Sequence, residues 1–143
     1  MAAERTAEVT WSGSLTEGQG RIERVGSGAF GPLDVTWASR TEESGGRTSP
    51  EELIAAAHAS CFCMAFSHGL AEAGFAPERL ETSATVTFVP GTGITKSALR
   101  VRGTVPGMDE AAFLEAAEAA RTGCPVSKAL AGGPEITLDA SLA

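Results

Sequence analysis

Hydrophobic and polar positions alternate in two different ways along this chain, and the change of period marks its elements. Residues 49–74, SPEELIAAAHASCFCMAFSHGLAEAG, hold no Asp, Glu, Lys or Arg between Leu53 and Leu70. Apolar residues fall on nearly every side of this stretch, which predicts one long helix buried in a core or at a subunit interface. Ser49 fits the N-cap, Pro50 the first turn, and Glu52 completes a capping box, while Glu51 and Glu52 suit the positive end of the helix dipole. Gly74 fits the C′ position and Pro77 prevents a restart. The helix then spans about 24 residues, or roughly 36 Å.

Strand periods flank it. Residues 8–12 (EVTWS) and 20–25 (GRIERV) read as strands across the turn-rich 13–18. Residues 33–40 (LDVTWASR) read as a third strand, with Leu33, Val35 and Trp37 on one face, followed by a polar loop at 42–49. Beyond Pro77, residues 81–89 alternate with Ala84, Val86 and Phe88 on one side. PGTG at 90–93 is a turn. Residues 94–105 return with Leu99, Val101 and Val105 on one face and Lys96, Arg100 and Arg102 on the other, solvated one. Asp109 caps a second helix to about Arg121, buried through Phe113, Leu114 and Ala117 and ended by Gly123. Cys124-Pro125 opens a third helix to Leu130, and residues 135–142 form the last strand. The order β-β-β-α-β-β-α-α-β predicts a single α+β domain over 1–143, with mostly antiparallel sheets around the long buried helix.

Composition narrows the classes. The 143 residues are 43% hydrophobic and 20% charged, an ordinary globular balance. A net charge of −7 argues against nucleic-acid phosphates and anionic membrane surfaces as partners. The N-terminus lacks the basic-then-apolar pattern of a signal peptide. The long helix could span a bilayer, but its Ala, Ser, His and Gly content is weakly hydrophobic, so a buried helix in a soluble, cytoplasmic protein is expected. Three cysteines do not make a disulfide framework, and in a reducing compartment any disulfide would be transient and functional.

The chemistry candidates are thiols. Cys124 falls at a helix N-terminus, where unpaired N–H groups and the dipole favour thiolate; the alternative is a thiol filling a helix corner. Cys61 lies mid-helix, where reactivity requires a cation from elsewhere, with Arg40 or Arg47 as the nearby options; the alternative is a core thiol. Cys63 points about 200° away from Cys61 on the helix, so the two cannot pair directly. A Cys61–Cys124 pair requires the third helix to pack on the first, which the spacing leaves open. His58, Cys61, Cys63 and His68 raise the possibility of zinc or copper, although a C-x-C within a helix matches no usual zinc spacing.

Two stretches, SPEELIAAAHASCFCMAFS and GCPVSKAL, resemble the paired cysteine motifs of the OsmC/Ohr family, the osmotically inducible and organic hydroperoxide resistance proteins. Their separation, the strand-rich N-terminus and the closing EITLDASL agree with it. The A-A-H-A-x-C form is closer to the OsmC branch. The resemblance covers essentially the whole chain and implies a thiol peroxidase without metal, haem or flavin. Cys61 matches the peroxidatic cysteine, Cys124 the resolving cysteine, Arg40 the arginine that activates the thiolate, and Glu51 the carboxylate that holds that arginine. Cys63 stands where a small residue is expected. The resemblance also implies a dithiol reductant of the dihydrolipoyl type, carried on a lipoylated protein. The apolar neighbours Leu53, Ile54, Phe62 and Phe66 suit an alkyl or fatty-acyl hydroperoxide better than hydrogen peroxide.

Ten residues of straight helix separate Glu51 from Cys61 by about 15 Å along the axis, too far to serve one site easily from the same chain. Antiparallel packing of the helix on its copy would bring Glu51 of one chain towards Cys61 of the other. This predicts an intertwined homodimer with two interfacial sites, as the family also implies. The competing function is a hydrophobic-ligand-binding stress protein that uses the same dimer groove without turnover.

Overall fold

The computed structural model describes residues 1–143. The sequence reads as one domain; the backbone groups into two compact units, Met1–Pro50 and Glu51–Ala143.

The first unit is an antiparallel meander of β1 (Ala7–Ser12), β2 (Gln19–Val25) and β3 (Leu33–Val35), followed by a short helix α1 (Trp37–Thr41). Opposite Trp11 in the β1–β2 register stands Gly20. A Cβ there would lie 2.6 Å from the Trp11 ring and 2.9 Å from Val35, so the missing side chain is what lets the indole lie across the sheet. The third strand is shorter than its sequence suggests. Val35-Thr36-Trp37 has strong β propensity, but Thr36 and Ser39 form a reciprocal capping box: the Thr36 hydroxyl accepts from the Ser39 N–H at 3.0 Å, and the Ser39 hydroxyl accepts from the Thr36 N–H at 3.0 Å. Two local hydrogen bonds at a helix start override the strand preference. Arg40 therefore sits on a helix, not at the end of a strand. The loop after it is tied back by Thr48 N–H to Asp34 C=O at 3.2 Å and by the Ser39 hydroxyl to Thr48 C=O at 3.3 Å.

The second unit begins with α2 (Pro50–Glu72), then β4 (Arg79–Val89), β5 (Gly93–Thr104), α3 (Glu110–Gly123), α4 (Pro125–Leu130) and β6 (Glu135–Leu142). The end of α2 falls where the glycine predicts. Gly74 has φ +90°, its N–H bonds Ala71 C=O at 3.0 Å, and the Phe75 N–H reaches Leu70 C=O at 2.8 Å. These two bonds close the last turn and satisfy carbonyls that the helix leaves open. The β4–β5 hairpin is antiparallel, with an irregularity between Thr87 and Phe88. The expectation of mostly antiparallel sheets holds with one exception. Strand β6 pairs parallel to β5, from Lys96↔Glu135 to Gly103↔Leu142. A parallel partner requires a crossover, and α3 and α4 supply it.

Under that crossover lies the core: Phe62, Phe66 and Leu70 of α2, Leu99 and Val101 of β5 with Val105 just beyond it, and Phe113, Ala117 and Ala120 of α3. The Phe66 and Phe113 rings sit 5.1 Å apart, tilted by 53°. Gly103 admits this packing, since a Cβ there would come within 2.6 Å of the Phe113 ring. The inward stripe of α3 is Phe113, Ala117 and Ala120; Leu114, expected inside, is 43% exposed. An i, i+4, i+7 stripe on a sheet leaves the neighbouring position at its edge.

The long helix is also less enclosed than its composition suggests. Within one chain it buries Glu51, His58, Phe62, Phe66 and Leu70, all on one face. Ala57, Ser60, Met64 and His68 are exposed on another face, with Met64 at 73%. A helix that is apolar all round does not announce which face its own sheet takes.

Candidate active site

Cys124 occupies a joint. It is the C-cap of α3 and the N-cap of α4, with φ −59° and ψ 126°. Its N–H closes α3 on Ala120 C=O at 2.9 Å, and its C=O opens α4 by accepting the Lys128 N–H at 3.0 Å. Pro125 at the first position of α4 has no N–H to lose, as such positions favour. The chain thus turns a corner on a cysteine whose side chain is fully buried.

Cys61, half-buried on α2, meets it there. The two free thiols lie close enough to influence each other, so the packing of helices that the sequence left open is realised. Their electrostatics differ. Burial pushes the Cys61 thiol up, the contact with Cys124 pushes it further, and the Val126 N–H opposes this only in part. Burial also acts to raise Cys124. There the Cys61 thiol, the N–H and hydroxyl of Ser127, and the Val126 N–H together outweigh it, leaving Cys124 below the ordinary thiol range. The surroundings therefore favour the thiolate at Cys124 over that at Cys61.

Behind the pair lies a second polar group in the core. His58 is fully buried, with Nδ1 2.7 Å from Ser97 Oγ and Nε2 2.8 Å from Ser127 Oγ. Burial holds its pKa below the ordinary value. Both serines escape a search for nucleophiles and metal ligands. Ser97 carries a signal all the same, because it is a polar residue on the inward face of β5, in step with Leu99 and Val101.

The other expected residues are Arg40, Glu51, Arg47 and Cys63. Arg40 is half-buried on α1, its guanidinium 5.9 Å from the Trp37 ring centroid. Glu51 is buried in the first turn of α2, at 6% exposure. Arg47 is exposed in its loop. Cys63 turns away from Cys61 as helix geometry requires, and its sulfur contacts Thr82 Oγ1 at 3.0 Å. It borders an open groove of about 600 Å³ between α2 and the start of β4, lined also by Met64, His68 and Leu80; Cys61 and Cys124 are not part of that groove. The four candidate metal ligands do not converge. Both nitrogens of His58 are engaged by serines, and no group of three or more His, Cys, Asp or Glu side chains is placed to hold a metal ion.

The helical crossover thus sets a buried cysteine against a half-buried one, and comparisons with known proteins place the chain in a family. A family model described as OsmC-like protein matches residues 43–139. The chain is 40% identical over 145 residues to a protein named Peroxiredoxin OsmC from Escherichia coli K12, covering 99% of each. It is 32% identical over 100 residues to an organic hydroperoxide resistance protein from Xanthomonas axonopodis pv. citri, covering 66% of this chain and 67% of that one. The crystal structure of the organic hydroperoxide resistance protein OhrB of Bacillus subtilis superposes with a TM-score of 0.73 at 27% identity, over 94% of this chain and 97% of that one. This protein belongs to the OsmC family, and the longer, closer match puts it on the OsmC side of the OsmC/Ohr division.

The buried imidazole makes a pH prediction. The unfolded chain protonates His58 near the ordinary value of 6.5, whereas the folded one resists until a lower pH. Below 6.5 the unfolded state therefore binds more protons, and stability falls with pH by up to about 1.4 kcal/mol per unit from this group. Above 6.5 the contribution is fully present. Urea titrations between pH 7 and about 5, above the ordinary carboxylate range, should show this slope in the native protein and a shallower one in His58→Asn.

Proposed function

We propose that this protein is a cysteine-based peroxidase that reduces organic hydroperoxides to alcohols. The observation that carries this reading is the direct contact of two free thiols, one reachable and one enclosed. Peroxide meets Cys61 first, and the cysteine that would close a protective disulfide lies beside it. The names of the relatives, peroxiredoxin and organic hydroperoxide resistance protein, point to the same chemistry.

The steps start from the thiol pair after Cys124 has lost its proton to solvent. Transfer of the Cys61 proton to Cys124 frees the Cys61 thiolate, which attacks the outer oxygen of ROOH. The O–O bond breaks, the sulfenic acid forms, and the alkoxide takes the proton from Cys124 to leave as alcohol. Cys124 thiolate then attacks the Cys61 sulfur. The S–S bond forms, the S–O bond breaks, and hydroxide leaves to be protonated by solvent. A dithiol of the dihydrolipoyl type restores both thiols and is oxidised to its own disulfide. Because its surroundings hold the Cys61 thiol up, the first step needs a cation. In this reading Arg40 supplies it and Glu51 holds Arg40, and the same charge steadies the departing oxygen.

The working unit in this proposal is an antiparallel homodimer through α2. The exposed, uncharged face around Met64 supports it, since a large apolar side chain left 73% open on an apolar helix is suited to cover by a second copy. Multi-angle light scattering at micromolar concentration should give twice the mass of one chain; a monomer contradicts this part of the proposal.

Peroxide consumption with a dihydrolipoyl reductant tests the function. Cys61→Ser should lose essentially all turnover, at least a thousandfold. Cys124→Ser should oxidise once and then stall as sulfenic or sulfinic acid. Undiminished turnover in Cys61→Ser would overturn the assignment, and a wild type that binds hydroperoxide without consuming it would favour the ligand-binding alternative.

A further inference from the structure

The steps above use neither His58 nor the two serines that enclose it. Three elements contribute to one buried line of hydrogen bonds, Ser97 from β5, His58 from α2 and Ser127 from α4, and its Ser127 end lies one turn from Cys124 at the joint of α3 and α4. Ser97, His58 and Ser127 are each at most 4% exposed. Polar groups so enclosed must satisfy one another, which fixes their orientation.

The hydrogens can be counted. Ser127 has a single hydroxyl hydrogen. If that hydrogen is donated to the Cys124 sulfur, the Ser127 oxygen must accept from His58 Nε2–H. A neutral ring then leaves Nδ1 to accept from the Ser97 hydroxyl. Every donor in the line points towards the sulfur. Without the imidazole, the Ser127 hydroxyl is free to rotate away.

We propose that His58 and Ser127 are positioning residues for Cys124. His58 holds the Ser127 hydroxyl so that its hydrogen faces the Cys124 sulfur and favours the thiolate that attacks oxidised Cys61. For that attack, the inference rests on the two-cysteine peroxidase reading. The orientation of the Ser127 hydroxyl acts on Cys124 whether or not peroxide is the oxidant. The ionisable groups that bear on the line are the two thiols. Lys96 and Arg100 lie on the solvent face of β5, Lys128 is exposed on α4, Glu118 and Arg121 pair with each other on α3, and Glu51 is two turns earlier on α2.

The test follows Cys124 alone, in a Cys61→Ser, Cys63→Ser background, through the pH dependence of its thiolate absorbance in the ultraviolet. Ser127→Ala and His58→Phe should each raise the midpoint by about one pH unit, and Ser127→Thr, which keeps the hydroxyl, should restore it. A purely structural role would lower stability and leave the midpoint where it was. Should His58→Phe fail to fold by circular dichroism, the Ser127 pair decides. Equal midpoints for Ala and Thr at position 127 overturn the proposal. In the three-cysteine protein, Ser127→Ala should also slow disulfide formation after a hydroperoxide pulse by about tenfold, with sulfinic acid accumulating on Cys61. If the midpoints shift as expected but the native protein forms no disulfide with peroxide, the peroxidase reading fails and the positioning role stands.

Discussion

Everything in the C-terminal unit turns on one constraint: two thiols must meet at the edge of a packed core. Placed there without help, each thiol would be pushed up by burial and neither would react. The chain breaks the symmetry by putting one of them at a helix joint. The Val126 and Ser127 N–H groups and the Ser127 hydroxyl all favour charge on Cys124, while Cys61 has the Val126 N–H alone. In a pair so biased the thiolate is favoured at Cys124.

The architecture is what makes that placement reproducible. Parallel pairing of β6 with β5 forces the chain over the sheet through α3 and α4, and the corner of this crossover is Cys124. The Phe66–Phe113 contact and the close approach at Gly103 fix α3 on β5 and α2 on α3. Cys61 then reaches the joint from one direction and His58, one turn earlier on the same helix, reaches Ser127 from beneath. A shift of either helix would break the thiol pair and the histidine line together.

Much of this was legible in the sequence, for identifiable reasons. The long helix, the hairpin and the two later helices announce themselves through period, capping residues and glycine stops, and these are local signals. The cysteine motifs point to the family before any coordinates. Four features were less legible. Helix α1 hides in a β-prone run because Ser39, rather than Glu or Gln, completes its capping box. The direction of β6 depends on a crossover that pattern alone does not orient. The serines around His58 become a line only when β5, α2 and α4 come together, although an inward Ser97 on a buried strand was a local hint. The face that α2 presents outward was hidden too, since a helix apolar on all sides carries no moment to read.

The most direct measurement is mass spectrometry of the intact and digested protein after one equivalent of tert-butyl hydroperoxide, beside one equivalent of hydrogen peroxide. The account predicts rapid loss of two thiols into a Cys61–Cys124 disulfide, faster with the organic peroxide, with Cys63 still reduced. Three reduced thiols after that exposure would contradict it, because a contact between free sulfurs would then be packing and not chemistry.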